Sequence, residues 1–104
     1  MELGYKEEII NKNNILKFYR ELILEDLKIE KIDKETASFS NLEIISLSRN
    51  LIQVFENLPP SIQEVSAFYN QISYVQVSKP YENLVYLGLG FNRLTDNFFG
   101  SFNI

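Results

Sequence analysis

Few residues of this 104-residue chain could do chemistry, and what is missing decides more than what is present. There is no histidine and no cysteine. That removes Ser-His-Asp and Cys-His catalysis, His or Cys zinc sites, haem and iron–sulfur ligation, and disulfides. Carboxylates, lysines, tyrosines and serines are left. The close acidic pairs are Glu7-Glu8, Glu25-Asp26 and Asp33/Glu35. Glycosidic chemistry needs two carboxylates facing each other across a cleft, one in an apolar setting. Pairs lying side by side in a charged stretch read instead as solvated surface. Asp33 and Glu35 lack the Asp-x-Asp-x-Asp-Gly form of a calcium loop, and there is no Walker or Gly-x-Gly-x-x-Gly phosphate loop. No catalytic residue, metal ligand or cofactor is expected.

The elements that would position these groups are unevenly charged. Residues 1–43 carry ten acidic and seven basic side chains, whereas residues 44–104 carry four and three. The net charge of −4, with no basic run, argues against a nucleic-acid surface. No window approaches the ~18 consecutive apolar residues of a membrane span. The start, Met1-Glu-Leu-Gly-Tyr-Lys-Glu-Glu, does not read as a signal peptide, and none of the eleven asparagines sits in an Asn-x-Ser/Thr sequon. With no cysteine, an intracellular, cytoplasmic setting is expected.

One pattern recurs along the chain. Leu42-Glu-Ile-Ile45-Ser-Leu47-Ser-Arg-Asn50-Leu-Ile52 has the form L-x-x-L-x-L-x-x-N-x-L. Ile62-Gln-Glu-Val65-Ser-Ala67-Phe-Tyr-Asn70-Gln-Ile72 repeats it twenty residues on, and Leu84-Val-Tyr-Leu87-Gly-Leu89-Gly-Phe-Asn92-Arg-Leu94 repeats it after twenty-two more. A degenerate copy begins at Tyr19, with Leu27 in the asparagine's place. Each copy predicts a short strand followed by a turn whose unpaired backbone groups are met by Asn50, Asn70 or Asn92. The chain resembles the leucine-rich repeat family from Tyr19 to about Phe98, in its shorter cytoplasmic variety.

The resemblance implies an α/β solenoid, right-handed, with about four short parallel strands. With apolar positions at Tyr5, Ile9, Leu16 and Tyr19, and Ile10 and Ile15 widening the stripe, residues 1–18 would be a helical cap over the open first repeat, a partner-binding amphipathic helix being the alternative. Residues 19–98 would be the repeats, starting near 19, 42, 62 and 84. Gln53–Ser61 and Ser73–Asn83 are too short and proline-marked for full helices, so 3₁₀ or extended connections are expected. An irregular loop is expected from Asp33 to Asn41. Residues 99–104 form an apolar tail. With Phe98, Phe99 and Phe102 so close together, this C-terminal end either folds back over the last repeat or contacts another chain. A shortened product of a longer gene would look the same.

Strand alternation then sorts the side chains. Leu22/Leu24, Ile45/Leu47, Val65/Ala67 and Leu87/Leu89 point inward. Glu21, Glu25, Ile44, Arg49, Phe68, Tyr69, Tyr86 and Phe91 belong to the concave face. Its aromatics gather on the C-terminal half, beside glycines that would leave room for a partner and with Arg49 as the only nearby charge. Aromatics and arginine are common interface anchors. The resemblance implies a non-catalytic protein-binding or scaffolding module acting on a protein partner. A regulatory subunit presenting the same face to a phosphatase or kinase is the alternative. More narrowly, Asn57–Val65 and Asn83–Leu94 are similar to cilium-associated members of the family, which implies a ciliary or axonemal assembly.

Overall fold

The computed structural model describes residues 16–102, so most of the cap expected over residues 1–18 lies outside the described residues. Among the described residues six strands of three residues follow one another. They are β1 (Glu21–Ile23), β2 (Ile44–Ser46), β3 (Val54–Glu56), β4 (Glu64–Ser66), β5 (Tyr74–Gln76) and β6 (Tyr86–Gly88). The chain winds as a solenoid of about three turns. On one side β1, β2, β4 and β6 form a parallel sheet in that order, and on the other β3 and β5 form a second parallel pair. This is the parallel solenoid that the repeats predict.

Register explains the winding. Leu22, Ile45, Val65 and Leu87 stand opposite one another in neighbouring strands. Their alternating partners two residues on, Leu24, Leu47, Ala67 and Leu89, fall on the same inner side. Ile45, Leu47, Val65, Ala67 and Leu89 are buried, and Leu22, Leu24 and Leu87 pack against that core from nearer the ends. Each buried aliphatic side chain of this size stabilises the fold by about 1.5–3 kcal/mol. From the opposite side Phe55 of β3 and Val75 of β5 complete the interior, so a turn of chain encloses one layer of core.

The connections are more regular than proline spacing suggested. Gln53–Ser61 and Ser73–Asn83 each begin with a short extended stretch before they turn, and these stretches pair in register as Val54↔Tyr74, Phe55↔Val75 and Glu56↔Gln76. Asp33–Asn41 carries a 3₁₀ helix, Lys34–Ser38, so the first connection adds no strand to this side. Tyr81 packs edge-on against Phe55, and its hydroxyl accepts a hydrogen bond from the Leu58 N–H at 3.3 Å. Burial raises the Tyr81 pKa above its usual 10.0; the Leu58 bond pulls it down, and the Glu56 charge adds to the rise.

At the C-terminal end Phe98 folds back into the core and is only 2% exposed. The 3₁₀ helix Phe99–Phe102 follows and packs against β5. Phe99 is left largely exposed, its ring edge-on to Phe98. The side chain of Phe102 lies outside the described residues.

Candidate binding face

The turns that leave the strands set the site. Asp26, Arg49, Tyr69 and Phe91 hold equivalent places, each one residue before Leu27, Asn50, Asn70 or Asn92. All four have positive φ, between 56° and 59°. A bulky residue in that region costs on the order of 1–3 kcal/mol and persists only where its surroundings fix it. The asparagines are what fix it in three turns. Asn70 donates through Nδ2 to the carbonyls of Ala67 and Phe68 in its own turn and of Leu47 in the preceding one. Its Oδ1 accepts from the Ile52 N–H at 3.1 Å. Asn92 repeats the pattern on Leu89, Gly90 and Ala67, and accepts from Ile72. Asn50 does the same on Leu47, Ser48 and Leu24, and accepts from both Leu27 and Ile29. The first turn, lacking its own asparagine, is therefore satisfied from the second.

A second tie holds the other end of each strand. Asn41 donates to the Lys17 carbonyl, Ser61 to Leu42 and Asn83 to Pro60, all at 2.6–3.0 Å. These three share the twenty- and twenty-two-residue spacing of the main repeat, so the second tie is also periodic in the sequence.

Between these two seams lies the concave face. Register places Glu21, Ile44, Glu64 and Tyr86 in one row across β1, β2, β4 and β6. The positive-φ residues Asp26, Arg49, Tyr69 and Phe91 form a parallel row at the other margin, linked by backbone bonds Asp26→Ser48, Arg49→Phe68 and Tyr69→Gly90. On the N-terminal half, Ile44 is half-buried and Ile23 exposed, above a shallow concavity of about 470 Å³. Glu25 accepts from the Ser46 hydroxyl and holds Arg49 at 3.3 Å, so that arginine is already paired. Glu21 is exposed at the edge strand.

The aromatics divide into two kinds. Tyr69 and Phe91 stack on each other, with ring centroids 4.3 Å apart and planes 4° from parallel. They stay open to solvent, at 51% and 71% exposure. Tyr86 is also exposed, at 46%. Phe68 is different: it is half-buried, and its ring lies across Gly88 and Gly90. The space over those glycines is thus taken by Phe68, where the sequence suggested a gap for a partner. Glu64 stands directly beside Tyr86, so Arg49 is not the only charge near the aromatics. Strand alternation puts Glu64 on the concave side, and cross-strand register shows which ring it neighbours.

Among the described residues no three metal-capable side chains gather, and no helix is long and apolar enough to cross a membrane. Parallel strands with aliphatic residues inward at every second position, and an asparagine holding turn after turn, define a leucine-rich repeat. The chain belongs to the leucine-rich repeat proteins. It is 35% identical over 81 residues to human Leucine-rich repeat-containing protein 43, and 30% identical over 98 residues to the mouse protein of that name. It is 31% identical over 112 aligned positions to asporin of Bos taurus. These alignments take in 74%, 89% and 80% of this chain but 12%, 15% and 30% of the relatives, so the chain spans less than a third of their length. No protein-family model matches it, and no solved structure gives a significant match.

Proposed function

We propose that the chain is a non-catalytic binding module that receives a protein partner on its concave face. One observation carries this reading: the Tyr69–Phe91 stack, two large rings held in solvent on strained backbone at the margin of an ordered sheet. Burying such rings in an interface is worth ~2 kcal/mol or more each. Ile23, Ile44 and Tyr86 extend the apolar surface, and Glu21, Glu25 and Arg49 supply polar edges to it. In finer detail, likeness to Leucine-rich repeat-containing protein 43 favours an intracellular scaffolding place in a ciliary or axonemal assembly.

Co-purification from ciliated native material, with the whole chain as bait, tests the reading. A stoichiometric protein partner held by the native chain and lost by the Tyr69→Ala/Phe91→Ala double variant is expected. A partner retained by that variant and lost on changing Tyr74, exposed on the β3–β5 side, would move the interface off the concave face.

A further inference from the structure

The geometry points to a basic occupant: a partner segment bearing arginine or lysine beside apolar side chains, its cation paired with Glu64 and its body lying on the aromatics from Tyr86 to Phe91. The inference rests on the concave face being the binding face, and it adds the chemistry of what binds there.

Three observations lead to it. The first is charge. The one base of the face, Arg49, is held by Glu25, whereas Glu21 and Glu64 make no ion pair among the described residues. Asp26 adds a further exposed carboxylate at the margin. Among the described residues the face is therefore acidic, and the positive charge of Arg49 is already answered. The second is register. Glu64 is the cross-strand neighbour of Tyr86, on strands whose backbones lie about 4.8 Å apart, which sets a carboxylate and a half-exposed ring side by side on one face. A guanidinium placed between them can meet the carboxylate with its N–H groups and the ring with its face.

The third is continuity. The Tyr86 hydroxyl and the tip of the Phe68 ring both lie over Gly88, and the Phe68 ring runs on over Gly90. Phe91 follows in the next position, its outer side open beyond the stack with Tyr69. The track thus offers π faces and apolar surface along its length and a free carboxylate at one end. An acidic occupant would meet Glu64 and Glu21 with like charge. A wholly apolar occupant would bury Glu64 unpaired.

The test is fluorescence anisotropy of the whole chain with a short labelled peptide of alternating Arg and Leu. Peptides of alternating citrulline and Leu, and of Glu and Leu, serve as controls. The arginine peptide should bind best, more weakly as salt rises. Glu64→Gln and Phe91→Ala should each weaken it about tenfold. Glu30→Gln, which removes the same charge on the β3–β5 side, should leave it unchanged. The inference is overturned if Glu64→Gln has no more effect than Glu30→Gln, if the citrulline peptide binds as tightly, or if no peptide binds. Should Phe91→Ala weaken both neutral and basic peptides equally while Glu64→Gln does nothing, the face still binds protein and only the basic occupant is wrong. Co-purification with the Tyr69→Ala/Phe91→Ala variant tests the concave face separately.

Discussion

Phe68 occupies the space in which a side chain at Gly88 would begin. A Cβ built on Gly88 would sit 2.6 Å from Phe68 Cε2 and 2.9 Å from the Tyr86 hydroxyl oxygen. Two consecutive turns are thereby locked through a ring and the absence of a side chain. Gly88→Ala should displace both rings and cost about 1–3 kcal/mol. At Gly90 the same atom would lie 3.1 Å from Phe68 Cδ1, so Gly90→Ala should cost less. Urea denaturation of the two variants checks the order, and Phe68→Leu in the Gly88→Ala background should recover stability. Equal losses at both glycines would mean that Phe68 does not set the cost.

Asn70 is nearly as buried as the core aliphatics beside it, and four backbone groups depend on its side chain. Asn70→Ala should cost ~1–3 kcal/mol by leaving buried carbonyls and the Ile52 N–H unpaired. Asn70→Asp keeps the acceptor for Ile52 but loses both donor protons facing the carbonyls, so it should do no better than Ala near neutral pH. A melting temperature unchanged in Asn70→Ala would contradict the buried-turn role.

The main seam was legible because asparagine is chemically specific and recurs in register, and Leu22 through Leu89 were legible because alternation has only two faces to choose between. Other features carried no such signature. Val54–Glu56 and Tyr74–Gln76 are three residues each, too short for a period, and become strands only because each finds the other across a turn of the solenoid. The left-handed backbone at Tyr69 and Phe91 was hidden by residue type, since aromatics rarely choose that region and here Asn70 and Asn92 impose it. Whether a concave ring faces solvent or its neighbour depended on what lay beside it. Tyr69 and Phe91 meet each other, while Phe68 meets glycine.

Positive φ at Tyr69 makes a prediction that side-chain contacts alone would miss. Tyr69→Gly loses the stack with Phe91, worth about 0.5–1.5 kcal/mol, but relieves backbone strain of similar size. Its stability should therefore stay close to that of the native chain. Tyr69→Val loses the stack and places a β-branched residue in the same strained turn, so it should be the less stable by ~1 kcal/mol or more. Paired chemical denaturation curves check this, and a valine variant as stable as the glycine one would remove strain from the account.

Tyr81 gives the fold an alkaline limit. Burial favours its neutral form, so its folded pKa lies above the unfolded value near 10.0. The resulting stabilisation is complete below the unfolded value and is lost as pH rises through the folded one. Native chain should therefore lose more stability above about pH 10 than Tyr81→Phe does. The variant begins from a lower level at neutral pH, because the Leu58 N–H loses its acceptor. Urea midpoints from pH 8 upward distinguish the two, and parallel curves would show that Tyr81 is not the group responsible.

Phe98 and Phe99 are adjacent in sequence but should behave oppositely. Phe98 shares the core with Ile72 and Val75, whereas Phe99 touches it edge-on and faces solvent. Of the two fates open to the tail from sequence, folding back is the one Phe98 takes, and that withdraws it from any contact with another chain. Phe98→Ala should cost about 3–5 kcal/mol, typical of a buried aromatic truncated to a cavity. The last turn has no further repeat beside it among the described residues, so this loss should loosen that end first and expose Leu89 and Leu94. Self-association is then expected of Phe98→Ala and not of the native chain. Phe99→Ala should leave both stability and association state nearly unchanged. Sedimentation velocity with thermal melting on the three proteins reads both quantities. If Phe99→Ala abolishes an association seen in the native chain, the exposed ring is a contact between chains, and the C-terminal end acts as an interface in addition to closing the core.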